Sequence, residues 1–140
     1  MSQDLLLLDT HIWIWLLNGD ADRLSVEGLV AIKNAGRSSQ LGVSAISVWE
    51  VGMLESKGRL RLSKGCLDWV RDALAVPGLR LLPLTPEIAI ESSRLPGQIH
   101  GDPADRILAA TARLLNATLI TQDLKLLEYG AQAYLSTIHG

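Results

Sequence analysis

Four acids carry most of the chemistry this chain could do: Asp9, Glu50, Asp105 and Asp123, with Asp102 close to the third. They lie far apart in sequence and have no fixed lysine nearby. If folding gathers them, the cluster repels itself and needs a cation. Oxygen-only ligands of this kind favour Mg²⁺ or Mn²⁺ over zinc.

Taken singly, each acid has a plainer reading. Asp102 is well placed as a helix N-cap, with Pro103 at the first helical position. Asp105 then falls at N3, where an acid complements the cap and the helix dipole. Asp123 suits the cap of a short final helix. Glu50 lies inside a helix, and its neighbours Ile46, Met53 and Leu54 form an apolar stripe expected to face inward. A buried lone carboxylate is costly unless it is paired or binds a metal. An arginine partner, or a boundary position, is the plainer alternative there. Asp9 and Glu50 are thus the two acids least explained by capping, and the site is a property of the set.

The elements that must position these residues are short. Leu5 to Leu8, Leu41 to Ser44, Leu79 to Leu84 and Thr118 to Thr121 read as buried strands. A last edge strand is expected at Ala133 to Leu135. Helices are expected over 11–17, over 25–35 with Ser25 as cap and Gly36 as stop, and over 46–57 closed by Gly58. Further helices run from a Ser63 cap to about Val76, from Thr85-Pro86 to about Arg94, from Asp102-Pro103 to about Leu115, and from Leu124 to Tyr129 before Gly130. The segment Leu95 to Gly101 reads as a loop. Short apolar strands alternating with helices predict an α/β fold with a central, mainly parallel sheet of four to five strands. Asp9 directly follows one strand and Asp123 closely follows another. In such sheets functional groups collect beyond the strands' carboxyl ends.

Composition narrows the class. The chain has 140 residues, 48% of them hydrophobic and 20% charged. That suits one compact domain, 1–140, and argues against disorder. No apolar run approaches the roughly 18 to 20 residues of a membrane span. Asp4 before the leucines, with no basic stretch, does not read as a secretory signal. Cys66 is the only cysteine, so a disulfide framework and a thiolate zinc site are excluded within one chain. A cytoplasmic location is expected. Net charge is −2, yet a nucleic-acid binder needs only a local basic patch. The candidate is Lys57, Arg59, Arg61 and Lys64, for which a solvated helix end is the plainer reading. His11, His100 and His139 make no paired ligand spacing and are expected to be structural or on the surface. The four tryptophans are expected in a core or an interface. Mean hydropathy of +0.22 suggests some apolar surface is covered by a partner.

The segments Leu6–His11 (LLLDTH), Ser44–Glu50 (SAISVWE), Asp102–Ala110 (DPADRILAA) and Leu119–Asp123 (LITQD) resemble, in order and spacing, the motifs of PIN-domain proteins. The likeness covers essentially the whole chain and is nearest to the VapC-type toxins of prokaryotic toxin–antitoxin pairs. The resemblance implies a three-layer PIN-like fold and an Mg²⁺- or Mn²⁺-dependent endoribonuclease leaving 5′-phosphate and 3′-hydroxyl ends. It implies metal-binding roles for Asp9, Glu50, Asp105 and Asp123, polar support from Thr121 and Thr10, and a less secure role for Asp102. It also implies a homodimer held inactive by a small antitoxin. Similar sequences often carry an aromatic residue where this one has Ala104. The chain has no Phe, so base stacking would fall to Trp or Tyr.

Other classes fit less well. An aspartyl-phosphate phosphatase needs a second Asp where His11 stands. A response-regulator receiver needs a phosphoacceptor Asp and a matching Lys that are absent. A non-catalytic PIN-fold module binding RNA or protein is the remaining alternative, although every acid is present.

Overall fold

Alternation within very short strands decides how the layers assemble. The computed structural model describes residues 4–99 and 101–140. Strands β1 (Leu6–Leu8), β2 (Leu41–Ser44), β3 (Leu79–Leu82), β4 (Thr118–Thr121) and β5 (Ser136–His139) form one sheet in the order β3-β2-β1-β4-β5. Every pairing is parallel. Side chains of a strand alternate between faces. Accordingly Leu6 and Leu8 enter one core with Ile12, Trp13 and Val51, while Leu5 and Leu7 enter a second with Leu108, Leu119 and Leu126. A parallel sheet must be covered on both faces. Helices α1 (Thr10–Leu17), α2 (Val26–Arg37) and α4 (Cys66–Leu74) cover the first. Helices α5 (Pro86–Ser92), α6 (Pro103–Leu114) and α7 (Leu124–Ala131) cover the second. Helix α3 (Ala45–Ser56) reaches both cores, through Val51 and Ile46. The expected three-layer α/β architecture is therefore present. No helix among the described residues is long and apolar enough to cross a membrane.

Several boundaries differ from expectation, each for a local reason. The last strand is Ser136–His139, not 133–135, because Ala133 adopts a left-handed φ of 67° that ends the preceding turn. Gly130 does not stop α7. It is a close approach, where a Cβ would lie 2.6 Å from Thr137 Oγ1. Helix α2 passes through Gly36 to Arg37, and Ser39 takes the left-handed turn instead, at φ 56°. Helix α4 starts at Cys66 after Gly65, so Ser63 is not its cap. Strand β3 ends at Leu82, and a short 3-10 turn at Ala21–Arg23 was not expected.

Candidate active site

Chain order builds the site. From β1 the chain steps outward to β2 and β3, then returns to β4 and β5 on the other side of β1. The direction of winding therefore reverses between β1 and β4, and such a switch point opens a crevice beyond the carboxyl ends of the strands. Asp9 follows β1 and Asp123 follows β4. The two strand ends are tied together directly. Asp9 N donates to Ile120 O at 3.0 Å, and Thr121 Oγ1 donates to Asp9 Oδ2 at 2.6 Å. The Asp123 N–H donates to Thr121 Oγ1 at 2.9 Å.

Helices bring the other acids. Asp102 caps α6, accepting from Ala104 N at 2.9 Å and Asp105 N at 3.3 Å. Its cap turns Asp105, one turn into the helix, toward the same crevice. Arg106 on α6 donates to the carbonyls of Ser92 at 2.8 Å and Ile99 at 3.4 Å, which holds the approach to that cap in place. Glu50 enters from α3, where Thr10 Oγ1 donates to its Oε1. The result is a cleft of about 460 Å³ lined by Asp9, Glu50, Asp102, Asp105 and Asp123, with His11, Trp15 and Gln122.

The capping expectations need one correction. Asp102 and Asp123 do cap helices, the latter accepting from Lys125 N and Leu126 N at 2.8 and 3.1 Å. Asp9 also stands at an N-cap, its Oδ1 accepting from Thr10 N at 2.7 Å. The helix begins one residue earlier than its apolar run suggests, because Thr10 packs inward. The stripe around Glu50 also differs. The buried positions of α3 are Ser47 and Val51. Ile46 and Met53 instead line an open groove of about 540 Å³ with Trp49, Pro103 and Ala104, and this groove shares Glu50 and Asp102 with the cleft. Periodicity marks an apolar face but not what covers it.

Electrostatics follow from this crowding. Burial lifts the Asp9 carboxyl above its usual range, against the hydrogen bonds from Thr121 and Thr10. Burial likewise raises Glu50, opposed by the Thr10 hydroxyl and assisted by the Asp9 and Asp102 charges. Asp105 is pushed up to about 8, first by burial and then by the charges of Asp9, Asp102, Asp123 and Glu50. Among the described residues no lysine or arginine lines the cleft. The donor set, oxygen throughout and short of positive charge, fits a hard divalent cation. Among the described residues no three such side chains yet form a closed ligand cage. Asp9, Asp102 and Asp123 each commit an oxygen to backbone N–H groups.

Other sequence candidates fall elsewhere. Lys57, Arg59, Arg61 and Lys64 are exposed and none lines the cleft. Lys64 Nζ pairs with Asp72 at 2.5 Å. His11 is exposed, as expected, and lines the cleft, its ring 5.7 Å from that of Trp15. His139 is exposed on β5 and His100 lies outside the described residues. Trp13 and Trp69 are core, as expected, whereas Trp49 is 58% exposed. Gln122 and Ser47 were missed. The available signal for Ser47 was its position three residues before Glu50 on one helix face.

Comparison with known proteins bears on family and fold. The family model described as PIN domain matches residues 6–132. Ribonuclease VapC22 of Mycobacterium tuberculosis is 34% identical over 120 residues, covering 86% of this chain and 88% of that protein. The fold is similar to VapBC2 from Rickettsia felis bound to a promoter DNA fragment, with a TM-score of 0.70 at 18% identity over 96% of this chain and 97% of that one. It is similar also to DNA-bound VapBC from Salmonella typhimurium, with a TM-score of 0.69 at 15% identity over 97% and 98% of the two chains. On the extent of the family match and the identity to this relative, the chain belongs to the PIN-domain family.

Proposed function

We propose that this chain is a metal-dependent endoribonuclease, the toxin of a toxin–antitoxin pair. The observation that carries the reading is one cleft lined, among the described residues, by five carboxylates and no lysine or arginine, at the switch point of a parallel sheet. The likeness to a VapC ribonuclease, and to VapBC complexes in fold, supports it. Asp9, Glu50, Asp105 and Asp123 hold Mg²⁺ or Mn²⁺, and Asp102 both caps α6 and faces the same space. Once bound, the cation supplies an activated water and neutralises charge on the phosphate. The chain's own groups prepare the site. Thr121 orients Asp9, Thr10 orients Glu50, and buried strand ends exclude bulk water from one side of the cleft. Trp49, exposed on the neighbouring groove, offers an unpaired base a stacking face. The basic residues from Lys57 to Lys64 begin about 10 Å along α3 from Glu50, at 1.5 Å per residue, within reach of a passing strand's phosphates. A small antitoxin covering the cleft, a homodimer and a cytoplasmic location complete the proposal.

The test is direct. Purified protein with Mn²⁺ should cleave single-stranded RNA, and chelation should stop it. Asp9→Asn and Asp105→Asn should each reduce cleavage to background. Equal cleavage by mutant and wild type would assign the activity to a contaminant.

A further inference from the structure

We infer that Ser47 is a positioning residue for Glu50, acting through the Thr10 hydroxyl; the inference rests on the metal-site reading above. Thr10 Oγ1 meets two partners, Glu50 Oε1 and, at 2.7 Å, Ser47 Oγ. A hydroxyl has one proton to give and two lone pairs to receive with. Toward Glu50, Thr10 Oγ1 is the donor. The single Thr10 proton therefore goes to Glu50, and the contact between the two hydroxyls is made with the Ser47 proton. The direction is set: Ser47 donates to Thr10, and Thr10 donates to Glu50 Oε1.

The setting makes this more than a satisfied core serine. Ser47 has 0% exposure and Thr10 has 1%. Ser47 thus touches neither solvent nor anything that enters the cleft, which rules out direct contact with substrate or cation. Buried or helical hydroxyls commonly return their proton to a carbonyl about one turn back. Thr111 and Ser92 do so here, bonding Ile107 O and Ala89 O, both at 2.7 Å. The Ser47 hydroxyl instead crosses from α3 to α1. Thr10 is the covalent neighbour of Asp9, so the relay couples the α3 acid to the strand end that carries the first acid. With one Thr10 lone pair occupied by Ser47, the hydroxyl rotor is held toward Glu50. In a buried, low-dielectric site such chained hydrogen bonds reinforce one another.

Mn²⁺ affinity, measured by calorimetry on the whole chain, tests this without relying on cleavage. Ser47→Ala and Thr10→Val should each weaken binding about tenfold, the low end for residues that orient a ligand. The double variant should bind no more weakly than Thr10→Val alone, because the hydrogen bond from Ser47 reaches Glu50 through Thr10. Ser47→Cys keeps the packing volume but only a weak donor, and should remain weakened. Additive losses in the double variant, or wild-type affinity in Ser47→Cys, would overturn the relay and leave the metal site standing. If wild-type protein binds no Mn²⁺, the metal-site reading itself fails and the relay falls with it.

Discussion

Burial and like charge act together on Asp105, and their combined effect has a sign that can be measured. Its carboxyl titrates at about 8 in the folded chain against an ordinary 3.8. Between those values the folded state binds more protons than the unfolded state, so stability falls as pH rises. The metal-free protein should therefore show a thermal midpoint that declines from pH 5 towards pH 8, and Asp105→Asn should flatten the decline. Mn²⁺ should raise the midpoint most at the alkaline end, where the carboxylates are free of protons. A metal-free midpoint that does not respond to pH in this window would sink the crowded-acid account. At this scale residue types were legible early, because a cluster of acids without lysine has few uses. Their protonation was not, since it depends on neighbours from four elements.

Among the elements, close approach rather than propensity sets several boundaries. Gly78 shows why. It has φ 85°, and a Cβ there would lie 2.1 Å from Gly36 O. Gly78→Ala combines left-handed strain with a backbone clash and should destabilise by about 2–4 kcal/mol. Gly36 is helical, and a Cβ there meets nothing within 4 Å. Gly36→Ala should stabilise by about 0.5–1 kcal/mol. Urea denaturation of the two variants checks both, and equal effects would contradict the packing described. The contrast explains the misread stops. The pattern of Gly36 and Gly130 resembles a helix end, yet one is free helix and the other is where Thr137 packs. Caps were read better. Ser25, Thr85, Asp102 and Asp123 all accept from backbone N–H groups two or three residues ahead, as local chemistry dictates.

On the scale of the whole molecule, winding order matters more than any element. Asp9 and Thr121 are 112 residues apart and share a 2.6 Å hydrogen bond because β1 and β4 lie side by side. Apolar side chains remain on the outside, among them Leu81, Leu84, Ile90 and Trp49. A homodimer would cover part of this surface, so sedimentation should give twice the chain mass of 15.2 kDa. A monomer at every concentration tested would remove the dimer from the proposal. The sequence by itself determined the layer architecture, the caps at Ser25, Thr85, Asp102 and Asp123 and the candidate acids, because period, turn chemistry and charge are local. Only the tertiary structure decided that Glu50 borders an open groove, that Thr121 bonds Asp9, and that Ser47 meets Thr10 beside Glu50. Those facts depend on which strands become neighbours and which apolar face stays uncovered, and neither is written in local spacing.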